Sequence, residues 1–255
     1  MNGAGALMDE SPQRSPRLAR DEDGFRNRGA EVTRMEAFLD AAFAFAITLM
    51  VISIDEIPRD GAELVAALKS IPAFGASFYI IAVFWRGHAD WSRRFGLDDR
   101  RSRTIGLWLV FLVLVFVYPL RMVFSAFFNW ISGGWLPANM VLDSLDDVRL
   151  MFAVFAVAFG SMGTALYALY ARAWRERERL GLDARESLIT RATMQRWALT
   201  MLVAMISLAC TWAMPQRPGS SLVVALPGLV FFGLQVAESL LRWRMRRRLA
   251  ALPPP

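Results

Sequence analysis

Six long apolar segments separated by polar links constrain this chain of 255 residues more than any other feature. Each segment is long enough to cross a hydrocarbon layer of about 30 Å. Because lipid offers no hydrogen-bond partner to a backbone, unbroken apolar runs of this length favour transmembrane helices. Hydrophobic residues make up 55% of the chain, more than an ordinary soluble domain contains. The segments are predicted at residues 35–54, 63–88, 104–128, 148–174, 193–213 and 222–243.

Arginine is distributed unevenly between the links. It is abundant before the first segment and after the second, fourth and sixth, whereas the other links hold only Arg59, only Arg217, or no basic residue at all. The positive-inside rule then predicts an all-α, polytopic protein with six transmembrane helices and both termini in the cytoplasm. Lys69 and Arg121 are predicted near the outer helix ends, where long side chains reach the interface. The net charge of +6 therefore indicates topology rather than a nucleic-acid partner.

The sequence outside the apolar segments predicts two tails. Residues 1–33 contain two Ser-Pro pairs, several glycines and mixed charge, without the apolar stretch of a signal peptide. We predict a disordered cytoplasmic tail at 1–33, a six-helix transmembrane domain at 34–245 and a basic, proline-rich tail at 246–255. No strong twofold internal repeat is visible, which predicts a single repeat unit.

Motifs of soluble enzymes are absent from the sequence. It has no glycine-rich phosphate loop, no G-x-S-x-G elbow and no Cys/His spacing for zinc, and its single histidine is His88. The T-V-G-Y-G filter of the best-known potassium channels is also missing. We therefore predict a protein that is not an enzyme and has no metal site and no cofactor.

The first apolar segment is the most informative for function. Asp40 lies just inside its start, where an ionisable side chain in hydrocarbon usually faces a partner or a watery path. Phe45, Thr48, Leu49 and Ile52 fall at helical positions i, i+3, i+4 and i+7 and share one stripe. Two interpretations are open: the stripe lines a narrow bore around a symmetry axis, or it packs against neighbouring helices.

A second set of residues predicts a polar cluster at the cytoplasmic end. Arg34 lies six residues before Asp40, too far round the helix for a pair on the same face, so Asp40 needs a partner on another helix. An antiparallel hairpin returns Trp85 and His88 to this end. The sequence predicts a cluster of Arg34, Asp40, Trp85 and His88 that holds helices together.

These motifs resemble the transmembrane protein 175 potassium channels. That family has an arginine, then Phe-Ser-Asp, then an apolar helix with a threonine, and this chain has RMEAFLD at 34–40 followed by Thr48. FWRGH at 84–88 is similar to the family's aromatic-Trp-x-x-His pattern, and Tyr118-Pro119 to its proline late in the third helix. The likeness extends over about residues 31–245.

The resemblance implies a homotetramer of single-repeat subunits with the first helix around a central pore. It implies passive cation conduction that favours potassium, with K⁺ and membrane lipid as partners, in a prokaryotic plasma membrane. Phe45 then matches the family's hydrophobic constriction, Thr48 the threonine tied to selectivity, and Leu49 and Ile52 pore-facing positions further out. Arg34, Asp40, Trp85 and His88 match its polar network.

Three residues depart from the family pattern. Leu39 replaces a serine, which should remove one hydrogen bond from the network. Phe45 is bulkier than the usual isoleucine or leucine, so it could close the bore more tightly or offer cation–π contacts to an ion. Trp108 stands where a polar partner is expected.

Two other functions stay open at this stage. A small-solute or proton-coupled transporter would have a site at the membrane midplane formed by broken helices, and Pro227 and Gly228 offer a weak indication of one. A non-conducting membrane scaffold is the other alternative, because the family motif is altered.

Overall fold

In the computed structural model, residues 19–29, 31–52, 58–140, 142–217 and 219–252 are described, and they are mainly helical. The described part contains no strand beyond one isolated bridge between Arg20 and Arg26. The predicted all-α class is therefore confirmed. The helices are α1 (Arg34–Ile52), α2 (Gly61–Lys69), α3 (Ile71–Phe95), α4 (Arg100–Ile131), α5 (Leu145–Arg175), α6 (Ala184–Ala213) and α7 (Ser221–Ala250).

Short polar side chains set the starts of several helices. Asp99 accepts a hydrogen bond from the Ser102 backbone amide at the start of α4. Ser144 and Asp183 begin α5 and α6 with complete capping boxes, in which the cap side chain and the side chain three residues later satisfy each other's backbone amides. Because these residues directly precede apolar runs, the sequence defines where the helices enter the bundle.

The predicted second segment is two consecutive helices rather than one. α2 ends at Lys69 and α3 begins at Ile71, with Ser70 between them in a right-handed helical conformation. Pro72 lies in the first turn of α3, where its missing N–H breaks no hydrogen bond of that helix. The two helices together form one span from Gly61 to Phe95. The segment predicted at 63–88 therefore begins within two residues of the observed start, but it ends seven residues early and misses the junction.

Five helical spans are long and apolar enough to cross a membrane: residues 61–95 and the helices α4, α5, α6 and α7. The chain is therefore a multi-pass membrane protein. α1 has 19 residues and carries Arg34, Glu36 and Asp40 within its first two turns.

α5 lies at the centre of the bundle and packs against α3, α4, α6 and α7. α1 packs on the outside of α3 and α4. Aromatic rings join the layers: Phe84 of α3 contacts Phe159 edge-on and stacks on Trp197 of α6, with ring centroids 5.4 and 5.6 Å apart. Gly87 makes this possible, because a Cβ there would lie 2.5 Å from the Trp197 ring.

Residues 19–29 of the predicted disordered tail are folded onto the helices. Phe25 is fully buried and meets Phe95 edge-on at 5.4 Å, and the Gly29 amide donates to the Arg93 carbonyl at 2.9 Å. Arg26 and Arg28 bind the carboxylate of Glu186 at the start of α6. Residues 1–18 lie outside the described part.

The other predicted tail also begins later than expected. α7 continues to Ala250, so residues 246–250 are helical rather than part of an irregular tail. Met245 and Leu249 pack against the core, which gives these last turns an apolar contact. Residues 253–255 lie outside the described part.

Acid should weaken the link between α4 and α5 through Asp99. Burial opposes ionisation of Asp99, but hydrogen bonds from Ser102 and the Arg172 guanidinium outweigh it and lower the pKa of Asp99 to about 2. Because this value lies below the ordinary 3.8, the pair contributes stability above about pH 4 and loses it as the pH falls towards 2. When thermal unfolding is measured across this pH range, Asp99→Asn should lose less stability between about pH 4 and pH 2 than the native protein does.

Asp98→Asn is the matched control for this pH dependence. Asp98 is the next residue along the chain, is exposed, and reaches Arg103 only at 3.7 Å. We expect its variant to keep the acid dependence of the native protein. Equal acid dependence in Asp99→Asn and the native protein would contradict the assignment to Asp99.

Candidate functional site

α1 has two faces of different character. Its buried face carries Leu39, Phe43, Ala46 and Met50, each at most 2% exposed, which point towards α3 and α4. The opposite face is exposed along its whole described length. We call it the α1 exposed face, and it consists of Arg34, Ala37, Phe38, Ala41, Ala44, Phe45, Thr48 and Val51.

The structure places the predicted pore residues relative to these faces. Phe45 is 55% exposed, and Thr48, three residues later, lies beside it on the α1 exposed face. Leu49 is half-buried at the edge of that face. The side chain of Ile52 lies outside the described part. In the single chain, Phe45 and Thr48 are therefore accessible to another molecule.

The Thr48 hydroxyl has a defined orientation. It donates to the Ala44 carbonyl one turn earlier, at an oxygen–oxygen distance of 3.0 Å. This bond uses the only proton of the hydroxyl and leaves oxygen lone pairs as acceptors on the exposed face. Such an oxygen can coordinate a cation but has no proton left for an anion.

Arg121 of α4 anchors the far end of α1. Its side chain is 3% exposed, and its Nη1 donates to the Met50 carbonyl at 3.0 Å. A cation at the C-terminal end of a helix is favoured by the helix dipole as well as by the hydrogen bond. The prediction that Arg121 snorkels to the interface is therefore wrong. The sequence did hold a signal for this contact, because an arginine inside an apolar run usually binds a partner within the protein.

Arg121→Met should loosen the outer end of α1. The variant keeps a long apolar side chain but removes the charged donor to Met50, and a hydrogen bond from a charged group contributes about 1.5–3 kcal/mol. We expect the free energy of unfolding to fall by about this amount in denaturant titrations in detergent. Arg103→Met, at an exposed position on the same helix, should change it little, and equal losses in the two variants would contradict the anchoring role.

The structure brings together part of the predicted polar cluster. The Trp85 Nε1 donates to the Asp40 carboxylate at 2.8 Å and ties α3 to α1. His88 lies one turn further along α3, buried, with its ring 6.0 Å from that of Trp91. Arg34 is exposed and, within the described residues, makes no hydrogen bond or ion pair, so it is not joined to the cluster.

At Leu39, where the family pattern has a serine, the side chain makes an apolar contact. Its side chain is 1% exposed and packs over Gly106 of α4. Leu39, His88 and Ser102 line a small pocket of about 20 Å³, which is room for one water molecule. At this position α1 is therefore held to α4 by packing. Trp108 of α4 also departs from the family pattern, and its side chain is exposed.

The fold and α1 together define a class: a multi-pass helical membrane protein with one accessible face on its first helix. Residues 34–119, which include α1 and the FWRGH motif, match the profile of the family described as endosomal/lysosomal potassium channel TMEM175. In the described part, no group of three or more His, Cys, Asp or Glu residues could hold a metal ion.

Known proteins resemble the chain over most of its length. A protein named potassium channel, from Marivirga tractuosa, is 28% identical over 214 residues, which are 82% of this chain and 85% of that protein. The crystal structure of a variant of the potassium channel MtTMEM175, bound to a nanobody–MBP fusion, has a TM-score of 0.74 and 25% identity. The match covers 90% of this chain and all of that one.

A further structure supports the fold alone. It is the lysosomal potassium-selective channel TMEM175 homolog from Chamaesiphon minutus, with a TM-score of 0.53, 21% identity, and coverage of 83% of this chain and 96% of that one. The predicted resemblance to the transmembrane protein 175 family is confirmed.

Proposed function

We propose that this protein is a passive cation channel that favours potassium, assembled from four copies with α1 around the shared axis. The observation that carries the proposal is the α1 exposed face: it places Phe45 and Thr48 where a second copy or an ion can reach them. The relatives named as potassium channels match the chain over most of its length.

In this proposal α1 also crosses the membrane, which adds a sixth span to the five given above. Its charged residues, Arg34, Glu36 and Asp40, all lie in the first two turns, and an apolar run follows. Both termini are then cytoplasmic, together with the arginine-rich links. The folded residues 19–29 support this orientation, since they hold Arg20, Arg26 and Arg28 beside the link between α5 and α6. The membrane is the prokaryotic plasma membrane.

Phe45 and Thr48 have different roles in such a pore. A ring of four Phe45 side chains forms a hydrophobic constriction that holds back water and ions. Thr48, one turn further out, offers hydroxyl oxygens that replace part of the hydration shell of a cation. Leu49 and Ile52 line the wider part of the path. The Asp40–Trp85 bond and Arg121 hold α1 in place at its two ends.

Thr48→Ala should weaken discrimination between potassium and sodium. The variant removes the hydroxyl oxygens while the helix keeps its backbone hydrogen bonds. In liposome flux assays with each ion in turn, we expect the ratio of potassium to sodium flux to fall towards one. Thr48→Ser keeps the hydroxyl and should keep the ratio; loss of selectivity in both variants, or in neither, would contradict coordination by this oxygen.

Disulfide cross-linking tests the tetramer directly. In a Cys210→Ser background, a cysteine at Ala41 on the α1 exposed face should link neighbouring subunits under oxidation, because four such positions surround the axis. A cysteine at Ile47, which packs against the core on the other side of α1, should not. A chain that stays monomeric in native detergent extracts would contradict the channel.

The transporter alternative loses its one structural indication. α7 runs unbroken from Ser221 to Ala250 through Pro227 and Gly228, and the Pro227 carbonyl accepts a hydrogen bond from Ser207 at 2.8 Å. The broken helix expected at these residues is therefore absent. A non-conducting scaffold is tested by the flux assay itself: a folded tetramer that passes neither potassium nor sodium would support the scaffold.

A further inference from the structure

An apolar cleft separates α7 from α3 and α4. α7 packs on α6 and lightly on α5, and its backbone stays clear of α3 and α4. Among the described residues, its one ring contact with α4 is between Phe232 and Phe127, whose centroids lie 5.7 Å apart. The cleft between them is floored by α5 and has a volume of about 460 Å³, which is in the range of ligand pockets, roughly 300–1,000 Å³. It is partly open at the side of the bundle, where Tyr79 and Phe232 are exposed.

The lining of this cleft is suited to a hydrocarbon chain. Phe152, Phe155 and Phe159 of α5 form the floor, and Phe231 of α7 meets Phe155 and Phe159 edge-on at 4.9 and 5.0 Å. Polar atoms on lining side chains are confined to Tyr79, Trp130, Ser221 and Gln235. A packed aromatic wall without charges excludes a hydrated or ionic occupant along most of the cleft.

The cleft is longer than one leaflet of the bilayer. Its lining on α7 runs from Ser221 to Gln235, a rise of about 21 Å at 1.5 Å per residue. The hydrocarbon core of a bilayer is about 30 Å thick, so the cleft extends from one surface past the midplane. Trp130 and Ser221 lie at the surface end, where tryptophan is typical of the interface.

A cation lies above the surface end of the cleft. Lys69 is the last residue of α2, separated from the start of α3 by Ser70 alone, and its side chain reaches Trp135, which follows the lining residue Trp130 by five positions. The Lys69 ammonium is 4.8 Å from the Trp135 ring centroid. It stands at the level expected for a lipid phosphate when the chain of that lipid occupies the cleft.

We propose that this cleft binds one acyl chain of a phospholipid, with the phosphate of that lipid held at Lys69. The occupied leaflet is the one beside the α1–α2 and α4–α5 links. The site is separate from α1, so it does not depend on the channel proposal and can be tested without an ion-flux assay.

Photo-crosslinking tests the site on the full protein in liposomes. The probe is a phosphatidylglycerol with a diazirine in its acyl chain, added to phosphatidylcholine vesicles, and labelled peptides are mapped by mass spectrometry. We expect enrichment on the cleft-lining parts of α4 and α7 over exposed peptides elsewhere in the bundle. Ala225→Trp and Ala76→Phe, which add bulk from opposite walls, should each abolish this enrichment.

Two matched controls make the result specific. Val223→Trp introduces the same side chain at an exposed position of α7 outside the cleft and should leave the labelling unchanged. Lys69→Gln should weaken competition by unlabelled phosphatidylglycerol about fivefold, while Arg244→Gln at the other end of α7 should not. Size-exclusion profiles and thermal unfolding identify any variant that fails to fold.

Three outcomes would overturn the proposal. One is undiminished cleft labelling in folded Ala225→Trp and Ala76→Phe. Another is an unchanged phospholipid affinity in Lys69→Gln. The third is displacement of the probe by an uncharged diacylglycerol as effectively as by the phospholipid, which would show that the phosphate adds nothing to binding.

Discussion

Phe45→Ala is expected to raise potassium flux about tenfold in proteoliposomes, the increase that follows from a barrier lower by about 1.4 kcal/mol. Phe45 is 55% exposed on the face of α1 opposite to its packed face, so the phenyl ring is available to narrow a shared path. In the proposed tetramer, four such rings around the shared axis form an apolar constriction that excludes water, and alanine would widen and wet it.

The control for this variant removes a phenyl ring from another exposed position. Phe78→Ala on α3 loses a similar area of exposed aromatic surface but lies away from the α1 exposed face, and its flux should match that of the native channel. An unchanged flux in Phe45→Ala, or an equal increase in both variants, would mean that α1 does not line the path. The substitution costs little stability, because the ring is not part of the packed core.

Glu186→Ala should destabilise the protein by about 3–5 kcal/mol, the usual cost of removing one partner from a buried ionic cluster. The Glu186 side chain is 0% exposed. Its carboxylate accepts from the Arg26 Nη2 at 2.6 Å and the Arg28 Nη2 at 2.9 Å, and also from the Arg26 backbone amide at 2.9 Å. Alanine would leave two arginines in a partly buried position without their anion.

The loss is measured as the free energy of unfolding in detergent with a chemical denaturant. Glu178→Ala is the matched control, because Glu178 is 87% exposed and pairs with the neighbouring Arg177, an arrangement worth less than about 1 kcal/mol. We also expect residues 19–29 to become sensitive to protease in Glu186→Ala. A variant as stable as Glu178→Ala would show that these residues are held by Phe25 rather than by the carboxylate.

Local sequence patterns predicted the helices and the stripes on α1. Apolar runs at 104–128 and 148–174 predicted α4 and α5, whereas the observed starts lie three or four residues earlier, where Asp99 and Ser144 cap the helices. The spacing of Phe45 and Thr48 placed them on one stripe in the same way. The Asp40–Trp85 bond was also predictable, because a carboxylate inside an apolar segment needs a donor and the hairpin returns one to the same level.

Features that depend on distant partners were missed. Residues 19–29 have a polar composition typical of disorder, and they are ordered by Glu186, about 160 positions away. Arg121 has the same reach as a snorkelling arginine, but it points inwards and donates to the Met50 carbonyl of another helix. The junction at Ser70 divides a run whose hydropathy is continuous.

The sequence by itself determined that this chain forms apolar helices with charged links and that α1 carries one aromatic and hydroxyl stripe. Periodicity and capping act over a few residues, so these signals are fully contained in the local sequence. The tertiary structure alone decided which stripe of α1 is buried, what holds residues 19–29, and where a cleft remains beside α7. Those outcomes depend on how side chains from separate helices fill the space between them, and packing of that kind has no local signature.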